Sequence, residues 1–183
     1  MNKRLSRKFF ERSPILVAQD LLGKYLIRQV GNKKVIAKIV ETEAYMGEMD
    51  LASHASRGKT PRTEIMYNSC GIAYVYLVYG IHYMFNIVAH EKGKVGAVLI
   101  RALEPMKNQK MANGPGKLSK WMKIDIKFNG EDLIKSNKLW LEDYGTKPSK
   151  IIKTTRIGVE YAKHYEDKPW RFYIKDNPSI SKK

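Results

Sequence analysis

The segment Val40-Glu41-Thr42-Glu43-Ala44-Tyr45 places two carboxylates and a phenol at alternate positions of an apolar run, and His54 follows Tyr45 by nine residues. Side chains two apart on a strand point to one face, so Glu41, Glu43 and Tyr45 share one. A second run, Tyr74-Val75-Tyr76-Leu77-Val78-Tyr79-Gly80, ends in a ring just before a glycine turn. A carboxylate at the end of a buried strand, beside an aromatic ring, is a candidate general base. The same residues admit a plainer reading, an exposed sheet edge with both carboxylates facing water.

The other chemistry-bearing residues divide similarly. His54, His82, His90 and His164 are scattered. No acid or second histidine stands at ligand spacing from His54, which argues against a metal site. His54 is either a structural ring or a stacking ring for a nucleobase, worth about 1–3 kcal/mol per base in stacking contacts. Tyr74 and Tyr76 fit ordinary strand packing. Tyr79, at a turn tip, is poorly placed for a core and well placed as a wedge between base pairs. Asn86 lies within Tyr83-Met84-Phe85-Asn86-Ile87-Val88, where an unpaired amide costs about 1–3 kcal/mol, so it is a structural bridge or a recognition group. Arg101, within Val98-Leu99-Ile100-Arg101-Ala102-Leu103, needs an acidic partner, a phosphate or water. Gly114-Pro115-Gly116-Lys117 offers backbone N–H groups at a helix start but lacks phosphate-loop spacing, so a nucleotide triphosphatase is not indicated.

Composition narrows the partners. The chain of 183 residues carries 34 Lys and Arg against 18 Asp and Glu, a formal charge of +16. Residues 1–106 hold 16 basic and 9 acidic side chains and the remainder 18 and 9, so the excess is not confined to one tail. A folded basic surface suits a polyanion such as nucleic acid, although a solvated lysine-rich surface has the same composition. Cys70 is the only cysteine, which excludes an intramolecular disulfide and zinc sites built on paired cysteines. No run approaches the ~20 apolar residues of a membrane span, and the basic N-terminus leads into no long apolar segment, so a soluble, cytoplasmic protein is expected.

These residues must be positioned by strands. Ser13-Pro14 and the apolar residues to Leu22 predict a helix, with Ser13 capping it and Gly23 ending it. Lys24–Val30 and Val35–Tyr45 read as a hairpin turning at Gly31-Asn32. Met46–Ser69 reads as a long loop with a short helix, of a length usually tied to function. Ile72–Val78, Tyr83–His90 and Val95–Leu103 form an antiparallel meander. A helix is expected over Leu118–Met122 and strands over Lys138–Glu142, Ile151–Gly158 and Arg171–Lys175. The fold class is α+β: one mixed domain, residues 1–178, on a curved, largely antiparallel sheet with surrounding helices and a protruding hairpin, followed by a polar tail over 179–183.

A carboxylate beside a cage of rings in a very basic protein suggests removal of a base from nucleic acid. In order along the chain, the segments Ala18–Lys24, Val40–Tyr45, His54 with Thr60-Pro61-Arg62, Tyr74–Gly80, Asn86, Leu99–Pro105, Asn113–Leu118, Arg156–Val159 and Lys168–Tyr173 resemble the alkyladenine (3-methyladenine) DNA glycosylase family. Thr63-Glu64-Ile65 departs from the family pattern.

The resemblance implies a monofunctional glycosylase of base excision repair, with no metal or organic cofactor, acting as a monomer on double-stranded DNA that holds damaged purines. It implies that Glu43 deprotonates the attacking water, which Arg101 and the main-chain carbonyl of Ile157 would hold. Tyr45 and His54 would sandwich the flipped base, Tyr76 would close the pocket edge-on, and Asn86 would disfavour the 2-amino group of guanine. Tyr79 would fill the gap left in the duplex. The rival class is a non-catalytic damage sensor or RNA-binding protein with the same aromatic cage; a carboxylate beside an anionic backbone adds nothing to such a cage.

Overall fold

The run expected from Val35 to Tyr45 forms the axis of the fold. The computed structural model describes residues 3–106 and 112–182. In chain order the elements are β1 (Lys3–Arg4), α1 (Arg7–Phe10), α2 (Pro14–Leu21), β2 (Tyr25–Val30), β3 (Lys33–Tyr45), β4 (Ala73–Val78), β5 (His82–Val88), β6 (Ala97–Pro105), α3 (Pro115–Met122), β7 (Leu139–Asp143), β8 (Ile151–Thr154) and β9 (Arg171–Ile174). The strands run β1-β7-β2-β3-β6-β5-β4, with β9 added to β3 and β8 to β9. All these pairings are antiparallel. The sheet curls into a half-barrel, and the class is α+β, as the sequence indicates.

Local signals explain most elements. β2 and β3 pair Val30 with Lys33 across Gly31-Asn32, and Gly31 takes φ +55°, the left-handed region that a two-residue hairpin turn demands. Pro14 opens α2, but Ser13 makes no side-chain capping bond, contrary to expectation. The helix is held by packing instead: Val17, Ala18 and Leu21 are fully buried, and Thr42 of β3 donates to the Ala18 carbonyl at 2.8 Å.

The decisive feature is a local irregularity where β3 meets β6. The ladder runs in one register from Ala37↔Pro105 to Tyr45↔Ala97, except that Glu41 pairs with Ala102. The main core contains Ala37 and Ile39 from before this point and Ala44 from after it, with Val98, Ile100 and Leu103 opposite. Strict alternation would put Glu41 and Glu43 on the face of Ile39. The irregularity reverses the faces, as bulges do. The apolar side chains on both sides of it enter the core, and the carboxylates turn to the other side of the sheet.

Several expected boundaries move. The loop over residues 46–69 contains three short 3-10 turns, Gly47–Met49, His54–Arg57 and Glu64–Tyr67. The strand expected over Ile151–Gly158 stops at Thr154, because Arg156 and Ile157 leave the sheet, the first to bond Asp50 in the loop after β3 and the second to bond Glu43 of β3. The segment read as a polar tail is packed: Ile180 is buried against Val40 and Ala102, and Ser181 bonds to Glu41. Lys183 lies outside the described residues.

Gly47, directly after the strand that carries the carboxylates, tests how tightly this frame is built. Its φ is +75°, and a Cβ there would lie 2.2 Å from the Val95 carbonyl oxygen. Gly47→Ala combines a disfavoured conformation with a backbone clash, and we expect a loss of about 2–4 kcal/mol in urea unfolding. A loss below about 0.5 kcal/mol would show that the turn relaxes freely.

Candidate active site

Both carboxylates are fully buried, so the exposed-edge reading is excluded. A buried charge persists only with partners, and two arginines supply them. Arg101, from β6, places Nη1 3.2 Å from Glu43 Oε1 and Nε 3.4 Å from Glu41 Oε1. Arg171, from β9, donates from Nη1 to Glu41 Oε1 at 2.9 Å and from Nε to the Thr155 carbonyl at 2.9 Å. β9 reaches this position because it pairs with β3 over residues 41–43, with Glu43 opposite Arg171. The question that Arg101 posed in the sequence is thus answered by acidic partners.

The two glutamates differ in their remaining contacts. Glu43 accepts from the Ile157 main-chain N–H at Oε1, 2.9 Å, and from the Tyr45 hydroxyl at Oε2, 2.9 Å. Glu41 accepts from Arg171 and twice from Ser181: from the main-chain N–H at 2.6 Å and from Oγ at 2.9 Å. Tyr45, Arg101 and Ile157, which all contact Glu43, line a cavity of about 330 Å³. Glu43 sits directly beneath these groups. Glu41 lies behind, saturated by donors.

The cavity is at the small end of the ~300–1,000 Å³ typical of ligand pockets. His54, Tyr74, Tyr76, Tyr79 and Asn86 also line it. His54 Nδ1 lies 2.9 Å from the Tyr74 hydroxyl, and the His54 ring meets Tyr76 edge-on, with centroids 4.6 Å apart. Burial, reinforced by Arg62 and Arg57, lowers the His54 pKa to about 4, so the ring is neutral at neutral pH. Burial also raises the Tyr45 and Tyr76 pKa values, with the Glu43 charge adding to each, so both are neutral phenols. Asn86 donates through Nδ2 to the carbonyls of Tyr74 (3.1 Å) and Met84 (3.2 Å). It is a bridge across the β4–β5 hairpin and, at the same time, a rigid part of the cavity wall.

Sequence reasoning gave no role to the pair that fixes Tyr45. Arg156 and Asp50 form a fully buried bidentate ion pair, at 2.6 and 2.9 Å. Arg156 also lies 4.9 Å from the Tyr45 ring centroid and 5.0 Å from that of Trp170. It therefore backs one side of Tyr45, and Asp50 anchors the loop that leads to His54. Arg156 stood in a recognised segment, but its partner is 106 positions away and nothing local marks Asp50 as buried. Tyr161, which rims the cavity and bonds the Ala52 carbonyl at 3.3 Å, was missed for the same reason.

Tyr79 stands at the tip of the β4–β5 hairpin, 90 % exposed, with Ile81 71 % exposed beside it. Tyr79 and Gly80 both have positive φ, +51° and +70°, and the Ile81 N–H closes the turn on the Val78 carbonyl. A bulky residue held at positive φ is uncommon. Here it projects a ring into solvent at the cavity mouth.

The profile of the methylpurine-DNA glycosylase family matches residues 8–178. A protein of Legionella pneumophila (strain Lens) named "Putative 3-methyladenine DNA glycosylase" is 52% identical over 181 residues, covering 98% of this chain and 99% of its own. Proteins with the same name from Borrelia garinii subsp. bavariensis and Desulfitobacterium hafniense (strain Y51) are 46% and 42% identical, over 98% and 99% of this chain and the whole of theirs.

The neutral state of His54 has a sign that can be measured. Its folded pKa, about 4, lies below the ordinary 6.5, so the unfolded chain binds the proton more tightly. The contribution of His54 to stability is therefore complete above pH 6.5 and is lost as the pH falls from 6.5 toward 4. We expect His54→Gln to flatten that part of the urea-unfolding profile, and an NMR titration of His54 to show a midpoint well below 6.5. A midpoint at 6.5 or higher would refute the neutral ring.

Proposed function

The chain belongs to the methylpurine-DNA glycosylase family, and on that premise we propose that Glu43 and Arg101 carry its chemistry, with Tyr45, His54, Tyr76 and Asn86 forming the pocket for a flipped purine. The enzyme is a DNA glycosylase of base excision repair, a hydrolase of N-glycosyl bonds. The observation that carries the residue assignment is Glu43 itself: a fully buried carboxylate fixed by Arg101, Tyr45 and Ile157 beneath a cavity lined with rings. A non-catalytic cage has no use for that arrangement.

The chemistry follows from the charges. A purine must leave the stack before water can reach its sugar carbon. In the cavity it lies among neutral rings, which attract a cationic alkylated base by about 0.5–2 kcal/mol per contact and do not repel it. Glu43 takes a proton from water held beside Arg101 and the Ile157 carbonyl, and its charge stabilises the oxocarbenium-like sugar. The Ile157 N–H bond to Glu43 gives this residue a further part, since it aims the carboxylate. Asn86 opposes a 2-amino group because its two main-chain bonds stop it from swinging aside. Tyr79 occupies the space vacated in the duplex, and the +16 charge meets the phosphates. A cytoplasmic monomer suffices for these steps, and the substrate class is alkylated or otherwise damaged purines.

Glu43→Gln keeps the shape and one acceptor but cannot take the proton. Single-turnover excision from a lesion duplex should fall by about 10²–10⁴ or more, while equilibrium binding to the same oligonucleotide stays near wild type. Near-normal excision would sink the assignment.

Tyr79→Ala removes the plug. Excision from duplex DNA should slow by roughly 5- to 150-fold, as the loss of about 1–3 kcal/mol of stacking implies, and the defect should shrink on a single-stranded lesion. Equal losses on both substrates would rule out the wedge.

A further inference from the structure

Four buried charges, Glu41, Glu43, Arg101 and Arg171, form one cluster behind the cavity, and only two of them belong to the reaction as assigned above. The segment after β9 runs back over them. Asn177 donates to Glu104 at 3.2 Å and accepts from the Ser179 N–H at 2.9 Å, which turns the chain. Ile180 is then buried between Val40 and Ala102, the residues of β3 and β6 beside the ladder irregularity. This seats Ser181 against Glu41, and Arg171 Nη1 donates to the Lys182 carbonyl at 2.8 Å on its far side.

Ser181 touches both members of the Arg101–Glu41 pair. Its N–H and its hydroxyl donate to the two oxygens of Glu41, at 2.6 and 2.9 Å. The hydroxyl oxygen also receives Arg101 Nε at 3.4 Å and Nη2 at 3.5 Å. Nε and Nη2 form one edge of the planar guanidinium. With that edge facing Ser181 and Glu41, the remaining nitrogen, Nη1, is the one that meets Glu43, at 3.2 Å. Arg101 has two carboxylates within reach, and its orientation depends on how completely Glu41 is satisfied by others. Without the Ser181 hydroxyl, Glu41 loses a donor and Arg101 loses an acceptor. The guanidinium then turns toward Glu41 and away from Glu43.

We propose that Ser181 is a positioning residue for catalysis, and that the segment Asn177–Lys182 is a strap which holds Arg101 on Glu43 by occupying Glu41. The inference rests on the assignment of Glu43 and Arg101 to the reaction. Ser181 does not line the cavity and contacts no base, so its effect falls on the chemical step and not on DNA affinity.

The test compares Ser181→Ala, Ser181→Thr and Glu43→Gln on one lesion duplex, by single-turnover excision and by equilibrium binding. We expect Ser181→Ala to slow excision about tenfold or more, on the scale of a hydrogen bond to a charged group, with the dissociation constant changed less than about twofold. Ser181→Thr, which restores the hydroxyl, should recover most of the rate. An unchanged rate in Ser181→Ala would overturn the proposal. Parallel loss of binding and rate would also overturn it, as would a threonine variant no better than alanine, because either marks a merely structural contact. Glu43→Gln separates the two levels: if it still excises, the catalytic assignment fails; if it is inactive while Ser181→Ala is normal, only the strap fails.

Discussion

Two carboxylates two residues apart on the buried half of a strand are tolerated only where cations are brought to them. Everything around the centre of β3 answers that demand. β6 brings Arg101, β9 brings Arg171, and the segment after β8 brings the Ile157 N–H. The same logic repeats one layer out, where Arg156 and Asp50 neutralise each other and steady Tyr45. Removing one member of such a group leaves an uncompensated buried charge, which costs about 3–5 kcal/mol. The cluster is thus first of all a constraint on the fold.

The division of labour between Glu41 and Glu43 follows from hydrogen bonding alone. The residue types are identical and the positions equivalent by strand period. The hydrogen bonds to Glu41 come from Arg171 and Ser181, which do not line the cavity, whereas those to Glu43 come from Tyr45 and Ile157, which do.

Most strands, the β2–β3 hairpin, the β4–β5–β6 meander and the ring-bearing segments were legible because their signals are local: β-branched runs, a Gly-Asn turn, tyrosines before a glycine. The alternation of Glu41, Glu43 and Tyr45 correctly placed them on one face. Which face could not be read, because the irregularity opposite Ala102 inverts the alternation and leaves no mark in composition. Ser13 showed a capping signal that the packing of α2 made unnecessary. Thr155–Gly158 read as strand because residue type does not reveal that Arg156 and Ile157 have buried partners over 100 positions away. The terminal segment read as polar because Ser and Lys dominate it, and the single isoleucine that seats it is invisible to any window average.

The pairing of β3 with β9 also has a consequence in time. Glu41 and Arg171 lie 130 positions apart, and contacts of that separation close late, after local hairpins have formed. During synthesis the acidic half of β3 leaves the ribosome long before β9 exists. Until then its carboxylates stay hydrated, and that half of the strand has no reason to bury. The β2–β3 and β4–β5 hairpins form early by proximity, whereas the buried charge cluster assembles only when nearly the whole chain is present. A nascent or prematurely ended chain therefore carries much of the basic charge without the buried cluster that the full chain encloses.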